Sequence, residues 1–236
     1  MKHRLALAPL TAVCAVASAL FAAPVHAQTL IGGSKSGTTF PIQITQSGSY
    51  KLAGNLVVPP GATGITIANG LNVTIDLGGF ELRGGNACSK AGCASNVITQ
   101  GVRLGASQVR LINGSISGFY SGVTWGEGGI AHRVVMENLS LCRNMVGAQV
   151  IVLQGRNLLA EDNAFNGIMA NRGVISDSVA VNNGGTGIGM GVGVVRDSWS
   201  SANGKYGFEL LGAYSGLVSN LNAMGNSISG GSNLLN

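Results

Sequence analysis

The sequence is poor in aromatic and charged residues, and it contains no run of lysine or arginine. Aromatic residues make up 5% of the 236 residues and charged residues 10%, with a formal net charge of +5. Nucleic-acid-binding proteins usually concentrate their basic residues, so the missing runs argue against nucleic acid as a partner. Globular cores are usually built with more large side chains. Glycine is abundant instead, with 38 residues, which favours a fold made of many tight corners.

The first 27 residues have the pattern of a bacterial secretory signal. Lys2 and Arg4 precede an apolar run from Leu5 to Ala23, and Val25-His26-Ala27 places a small residue before a cleavage point. We therefore expect cleavage after Ala27, a periplasmic or secreted location, and no membrane-spanning segment in the mature chain. The remaining residues suffice for one domain.

An internal repeat of about 20 residues dominates the rest of the chain. Its first marker is an Asn or Asp, at Asn113, Asn138, Asn157, Asp177, Asp197 and Asn220, and the last five markers are 19, 20, 20 and 23 residues apart. A second Asn follows each of those five after six residues, at Asn144, Asn163, Asn183, Asn203 and Asn226. Apolar residues alternate between the markers with period two, which indicates short strands and predicts Leu221 and Ala223 inside the last unit. Such a unit is typical of one coil of a β-solenoid.

The units from Val73 to Asn226, with their Asn and Asp corners, resemble the right-handed parallel β-helix superfamily. That superfamily includes the pectate lyases and the periplasmic copper-insertion β-helix proteins. The resemblance implies an all-β, single-domain right-handed parallel β-helix of about eight coils. We predict an N-terminal cap and first coils over 28–72, repeats over 73–226 with an insertion at 85–97, and a C-terminal tail over 227–236.

The first markers are interpreted as structural. A one-residue corner between two strands needs a left-handed backbone, which Asn and Asp tolerate better than other residues with a Cβ. We therefore predict a structural corner ladder of Asn113, Asn138, Asn157, Asp177, Asp197 and Asn220. Cys88 and Cys93 in the insertion are predicted to form a disulfide, since the compartment is oxidising and their spacing is short. No metal site is predicted, and Cys142 is expected to be a free thiol on an outward position.

Catalytic residues are hard to find. Polysaccharide hydrolases of this superfamily use paired carboxylates with Asn-Thr-Asp, Asp-Asp, Gly-His-Gly and Arg-Ile-Lys motifs, and none of these strings occurs. The mature chain has one histidine, His132, interpreted as structural. A calcium-dependent lyase needs clustered carboxylates and a basic side chain that removes a proton. Arg172, Lys205 and Glu209 are the candidates for that chemistry, and Ca²⁺ is a cofactor under this hypothesis alone.

Aromatic residues give the better indication of a binding role. Tyr120 and Phe165 fall on equivalent corners, and Tyr206 follows the equivalent Lys205, so the three rings are candidate ligand-binding residues for a sugar polymer. Arginines also precede the first corner, at Arg110, Arg156 and Arg196, where an acidic glycan could bind, although Glu137 interrupts that column.

Three functions follow from these observations. The first is a non-catalytic exported protein that binds a polysaccharide or cell-envelope surface, or acts as a scaffold. The second is a small polysaccharide lyase or epimerase acting on an acidic glycan. The third is a structural envelope protein that assembles end to end, since the C-terminal end of a solenoid exposes a strand edge unless Leu234 and Leu235 or another subunit cover it.

Overall fold

The computed structural model describes residues 28–32, 38–105, 108–126 and 133–228. Those ranges contain strands and no helix, so no helical segment in them could traverse a bilayer. The predicted signal sequence, His132 and the tail beyond Ile228 lie outside the described residues.

Within these ranges the chain forms twenty-two strands. In the first half of the chain they are β1 (Thr29–Ile31), β2 (Ile42–Ile44), β3 (Gly48–Leu52), β4 (Leu56–Val57), β5 (Ile65–Ile67), β6 (Asn72–Asp76), β7 (Glu81–Arg83), β8 (Cys88–Ser89), β9 (Gly92–Cys93), β10 (Gln100–Leu104) and β11 (Gln108–Ser117). In the second half they are β12 (Ser121–Trp125), β13 (Arg133–Cys142), β14 (Val146–Glu161), β15 (Ile168–Ser176), β16 (Val179–Val181), β17 (Ile188–Arg196), β18 (Trp199–Ser201), β19 (Phe208–Leu210), β20 (Ala213–Ser215), β21 (Val218–Asn220) and β22 (Ser227–Ile228).

Parallel pairing sorts all of these strands except β8 and β9 into three stacks. We call them faces A, B and C in the order in which each coil passes through them. Face A contains β2, β5, β10, β12, the start of β14, the starts of β15 and β17, then β19 and β22. Face B contains β1, β3, β6, the first halves of β11 and β13, the middle of β14, the ends of β15 and β17, then β20. Face C contains β4, β7, the ends of β11, β13 and β14, then β16, β18 and β21. The fold is therefore an all-β solenoid-like wrapping of parallel strands around one axis.

The hydrophobic core fills the space between the three faces. Alternate side chains of each strand point into it, as shown by Ile65 and Ile67 on face A, Val109 and Leu111 on face B, and Ile116 on face C, all 3% exposed or less. The N-terminal strands β1 to β5 pair within the same three faces as the later repeats, although their sequence does not show the repeat.

The corner between faces B and C contains the predicted left-handed residues. Asn113, Asn138, Asn157, Asp177 and Asp197 have φ angles of 49° to 59°. The Asn138 Nδ2 donates to Oδ1 of Asn113 over 3.1 Å, and the Asn157 Nδ2 donates to Oδ1 of Asn138 over 2.9 Å. The prediction for Asn220 is wrong, because Ser215 pairs with Arg196 and the corner of the last coil is therefore Gly216, with φ of 57°.

The corner between faces C and A contains a second asparagine ladder, which is buried. Asn144, Asn163, Asn183 and Asn203 are 1% exposed or less, and each Nδ2 donates to Oδ1 of the next member over 2.8 to 3.3 Å. The last member is Asn222, so the prediction of Asn226 is wrong. Leu221 takes the left-handed position before it and is 85% exposed, not interior as the alternation predicted.

The insertion at 85–97 forms a disulfide-closed hairpin, which we call the strap. Cys88 and Cys93 are bonded as predicted, and β8 pairs with β9 antiparallel. The strap lies along the corner between faces C and A: the Asn86 backbone N–H donates to the carbonyl of Gly118 over 2.9 Å, and the Lys90 ammonium donates to the carbonyl of Ala202. It therefore spans several coils. Cys142 is free and partly exposed, as predicted.

Candidate functional site: the arginine face

Face B carries one arginine in each of five successive coils. They are Arg110 in β11, Arg133 in β13, Arg156 in β14, Arg172 in β15 and Arg196 in β17. All five are exposed. Equivalent residues of neighbouring strands lie about 5 Å apart, so arginines that are 16 to 24 residues apart in the sequence share one surface. We call this surface the arginine face.

Four of the five arginines alternate between two rows that run along the solenoid axis, and Arg110 lies in line with the strip between them, since it pairs with Val135. In one row Arg133 pairs with Val152, Val152 with Arg172, and Arg172 with Val192. In the other row Glu137 pairs with Arg156, Arg156 with Ser176, and Ser176 with Arg196. The rows are four residues apart along each strand, which corresponds to about 13 Å. Four successive coils thus present a cation on one side and then on the other.

The strip between the two rows is largely apolar. Its residues are Val135, Gln154, Val174 and Val194, which pair in succession from β13 to β17. Val174 is 37% exposed, and Gln154 is exposed as well. A ligand that lies between the rows therefore meets a nearly flat apolar floor with cations on both sides.

Glycines shape the C-terminal half of this floor. Gly173 and Gly193 have φ angles of 140° and 154°, in the region that favours glycine. A Cβ at Gly173 would lie 1.9 Å from the carbonyl oxygen of Leu153, and a Cβ at Gly193 would lie 2.0 Å from that of Gly173. Because these two glycines have no Cβ, the backbone next to Arg172 and Val192 can lie directly against the preceding coil.

Acidic groups neutralise part of the arginine face. Arg110 forms an ion pair with Glu137, and the Nε of Arg156 lies 3.4 Å from the Asp177 carboxylate. Within the described ranges Arg133, Arg172 and Arg196 have no salt bridge, although Asp197 follows Arg196 at the corner. The Arg133 guanidinium donates to Oε1 of Gln154 over 3.0 Å. The face therefore retains positive charge at several coils.

The N-terminal end of the arginine face opens into a groove of about 570 Å³. The polar side chains that line it are Ser49, Asn72, Thr74, Gln108, Arg110, Arg133 and Gln154. None of the described residues lining this groove is acidic. Hydroxyl, amide and guanidinium groups in one open groove suit a ligand with many oxygens and negative charge.

The sequence identified this surface only in part. The predicted column of Arg110, Arg156 and Arg196 is wrong for Arg110, which pairs with Val135 and so lies two residues before the position of Glu137. The repeat pattern did not identify Arg133, although it stands five residues before Asn138, as Arg172 stands five residues before Asp177. Arg172 was assigned to a different site. The available signal was one outward arginine per coil, which becomes visible once the strand pairing is known.

The candidate lyase residues do not come together. Arg172 pairs with Val192 on face B, whereas Glu209 pairs with Gly189 on face A, three residues earlier in the same strand β17. Lys205 lies at the corner before β19, where its ammonium is 4.9 Å from the centre of the Tyr206 ring. The Glu209 carboxylate accepts a hydrogen bond from the Thr186 hydroxyl over 3.0 Å.

The three candidate aromatic residues follow one corner but are not adjacent. Phe165 is 53% exposed, while Tyr120 and Tyr206 are partly exposed. On one side Phe165 stacks on Met145, which has no ring, and the Met145 carbonyl accepts the Phe165 N–H. On the other side Gly185 lies between Phe165 and Lys205. The rings are therefore isolated contacts rather than one continuous platform.

The described residues contain no group of three or more His, Cys, Asp or Glu side chains placed to hold a metal ion. Comparison of the chain with protein-family models, with curated proteins and with solved structures gives no match. The geometry of the arginine face is therefore the basis for a functional proposal.

Proposed function

We propose that this chain is an exported, non-catalytic protein that binds an acidic polysaccharide on its arginine face. The observation that carries the proposal is the series of five exposed arginines in five successive coils of face B. An acidic glycan offers carboxylate or sulfate groups to the guanidinium groups and sugar faces to the apolar floor.

The extended shape of the surface favours a polymer over a small ligand. The arginines span four coil steps, about 20 Å at the spacing of neighbouring strands. Small-molecule sites are usually concave and enclose most of the ligand, whereas this face is open. Tyr120, Phe165 and Tyr206 lie at the corner between faces C and A, away from face B, and stay a separate prediction of sugar contacts.

We also propose the finer identity of the fold and its location. The wrapping is a right-handed parallel β-helix, because crossovers between parallel strands are right-handed in nearly all proteins. Its length is about eight coils, the number of strands stacked on face C. The signal-like segment 1–27 supports a periplasmic or secreted location, where acidic glycans are available. End-to-end association through the C-terminal end stays a prediction.

Binding is tested with the mature protein and immobilised polyglucuronate, alginate and heparin, with neutral dextran as a control. The triple variant R133Q/R172Q/R196Q removes three cations from the arginine face. An exposed charge contributes up to about 1 kcal/mol, so we expect the affinity to fall roughly tenfold or more. Retention should also weaken as the salt concentration rises.

The matched control is R83Q/R103Q/R143Q, which removes the same charge from positions off face B. We expect its affinity to change by less than about threefold. Equal losses in the two triple variants would show that only net charge matters and would overturn the proposed site. Tighter binding of duplex DNA than of any glycan would replace the proposal with a nucleic-acid function, and shortening of the polymer would replace it with an enzymatic one.

A further inference from the structure

The arrangement of the arginines specifies more than negative charge. We infer that the ligand of the arginine face is an extended linear polyanion with a twofold repeat, carrying one anionic group per residue on alternating sides of the chain. This inference rests on the proposed function and defines the class of glycan that the site accepts.

The axial step of the solenoid sets the spacing of the charges along the ligand. Each coil contributes one arginine, and successive coils are about 4.8 Å apart along the axis. That step is close to the length of one sugar residue in an extended polysaccharide. A chain that lies along the axis therefore places one residue over each of the strands β13, β14, β15 and β17.

The alternation between the two rows sets the symmetry of the ligand. Arg133 and Arg172 belong to one row, and Arg156 and Arg196 belong to the other. In an extended chain with a twofold screw axis each residue is turned by half a rotation relative to the last, so successive carboxylates point to opposite sides. Such a chain, centred on the floor between the rows, meets one guanidinium per residue.

The floor fits the same ligand. Val135, Val174 and Val194 lie between the rows, with Gln154 in the same strip on β14. The apolar faces of the sugar rings rest on the valines while the carboxylates reach outward. A coiled polyanion would direct its charges around its own axis, and only some of them would face the arginines. The structure thus favours extended chains over coiled ones of the same charge.

The test compares two polyglucuronates that differ only in linkage. The β-1,4-linked polymer is extended with a twofold repeat, and the α-1,4-linked polymer coils. Matched oligomers of each are titrated into the mature protein by calorimetry at fixed salt. We expect the β-1,4-linked oligomers to bind at least about fivefold more tightly, since the coiled isomer loses about half of the exposed charge contacts.

A rearranged variant tests the alternation itself. V152R/R156V moves one cation from the second row to the first without changing the net charge, and Val152 is already partly exposed. We expect the preference for the β-1,4-linked isomer to disappear while binding to polyanions persists. An unchanged preference in a variant with wild-type thermal stability would overturn the inference.

A length series of β-1,4-linked oligomers keeps the inference testable if that variant does not fold. The affinity should rise up to four residues, the number of coils whose arginines alternate between the rows, and then level off. If both isomers bind the wild type equally and the R133Q/R172Q/R196Q variant loses binding, the proposed function stands and the twofold repeat is refuted. If no polyuronate binds, both proposals fail.

Discussion

Asparagine has two different roles at the two corners of each coil. At the corner between faces B and C the asparagines themselves take the left-handed conformation. Each side-chain amide donates to the preceding asparagine of the ladder, and the first one donates to the Asp76 carboxylate. At the corner between faces C and A the left-handed residue comes first, at Arg143, Asp162, Asn182, Ala202 and Leu221. In the first four of these coils the following asparagine is buried, and its amide donates in the direction of the C-terminus.

The buried ladder is expected to matter more for stability than the exposed one. Asn183→Ala removes the Oδ1 that accepts from both the backbone N–H and the Nδ2 of Asn163. It also removes the Nδ2 that donates to the carbonyl of Ala160. Buried polar groups that lose their partners cost about 1 to 3 kcal/mol each. We therefore expect the free energy of unfolding to fall by about 3 kcal/mol, measured by urea denaturation.

The matched control is Asn157→Gly in the exposed ladder. Glycine accepts the φ of 50° at this position, and the lost bond to Asn138 is exposed to solvent. We expect a loss below about 1 kcal/mol. A larger loss in the Asn157 variant than in the Asn183 variant would contradict the assigned roles.

At the scale of the element, the strap holds together coils that are distant in the sequence. Its Cys88 sulfur contacts the carbonyl of Phe119 at 3.9 Å, and its Lys90 reaches Ala202. Antiparallel strands as short as β8 and β9 are not stable alone. The disulfide and these contacts therefore keep the strap on the corner.

Removing the disulfide should loosen the strap first. In C88S/C93S the closed loop between residues five apart is lost, which costs about 2 kcal/mol by the loop-entropy estimate. We expect rapid proteolytic cleavage within residues 85–97 while the core of the solenoid stays intact. Mass spectrometry of the products measures the cleavage. Cys142→Ser is the control, because Cys142 forms no disulfide. Equal cleavage of the wild type, C88S/C93S and Cys142→Ser would show that the disulfide does not hold the strap.

At the scale of the whole molecule, the interior changes in character along the axis. On face C the inward residues are Leu139 and Leu141 in β13, but Ser178 and Ala180 beside and within β16, and Ser198 and Ser200 beside and within β18. The buried hydroxyls are satisfied locally: the Ser178 Oγ donates to the carbonyl of Ser176, and the Ser200 Oγ donates to that of Gly207. The C-terminal coils thus bury less apolar surface on face C.

Local opening should follow this gradient. Burying a leucine contributes about 1.5 to 3 kcal/mol, so we expect the opening free energy of β16 to be roughly 2 kcal/mol or more below that of β13. Hydrogen exchange read by mass spectrometry measures this difference. Both strands are paired on two sides, so an edge effect does not explain it. Equal protection would mean that the molecule opens as one unit.

The register of the coils was predictable where Asn or Asp takes the left-handed corner position. The predicted register is wrong where other residues take that conformation. Five corner residues of the first ladder were identified because polar side chains that tolerate positive φ recur at a fixed spacing. In the last coil Gly216 and Leu221 take the corners. Glycine is too common in this chain to mark a position, and leucine has no preference for the left-handed region. The Asn and Asp spacing therefore predicted corners at Asn220 and Asn226 instead.

The sequence by itself determined the repeat, the all-strand architecture, the disulfide and most corners, because period-two alternation and left-handed conformations depend on neighbouring residues. Only the tertiary structure decided the candidate site. Arg133, Arg156, Arg172 and Arg196 are dispersed along the chain, and their alternation depends on how the residues of one coil pair with those of the next. A solenoid turns sequence distance into a constant axial step, so a cationic surface can form without any run of basic residues.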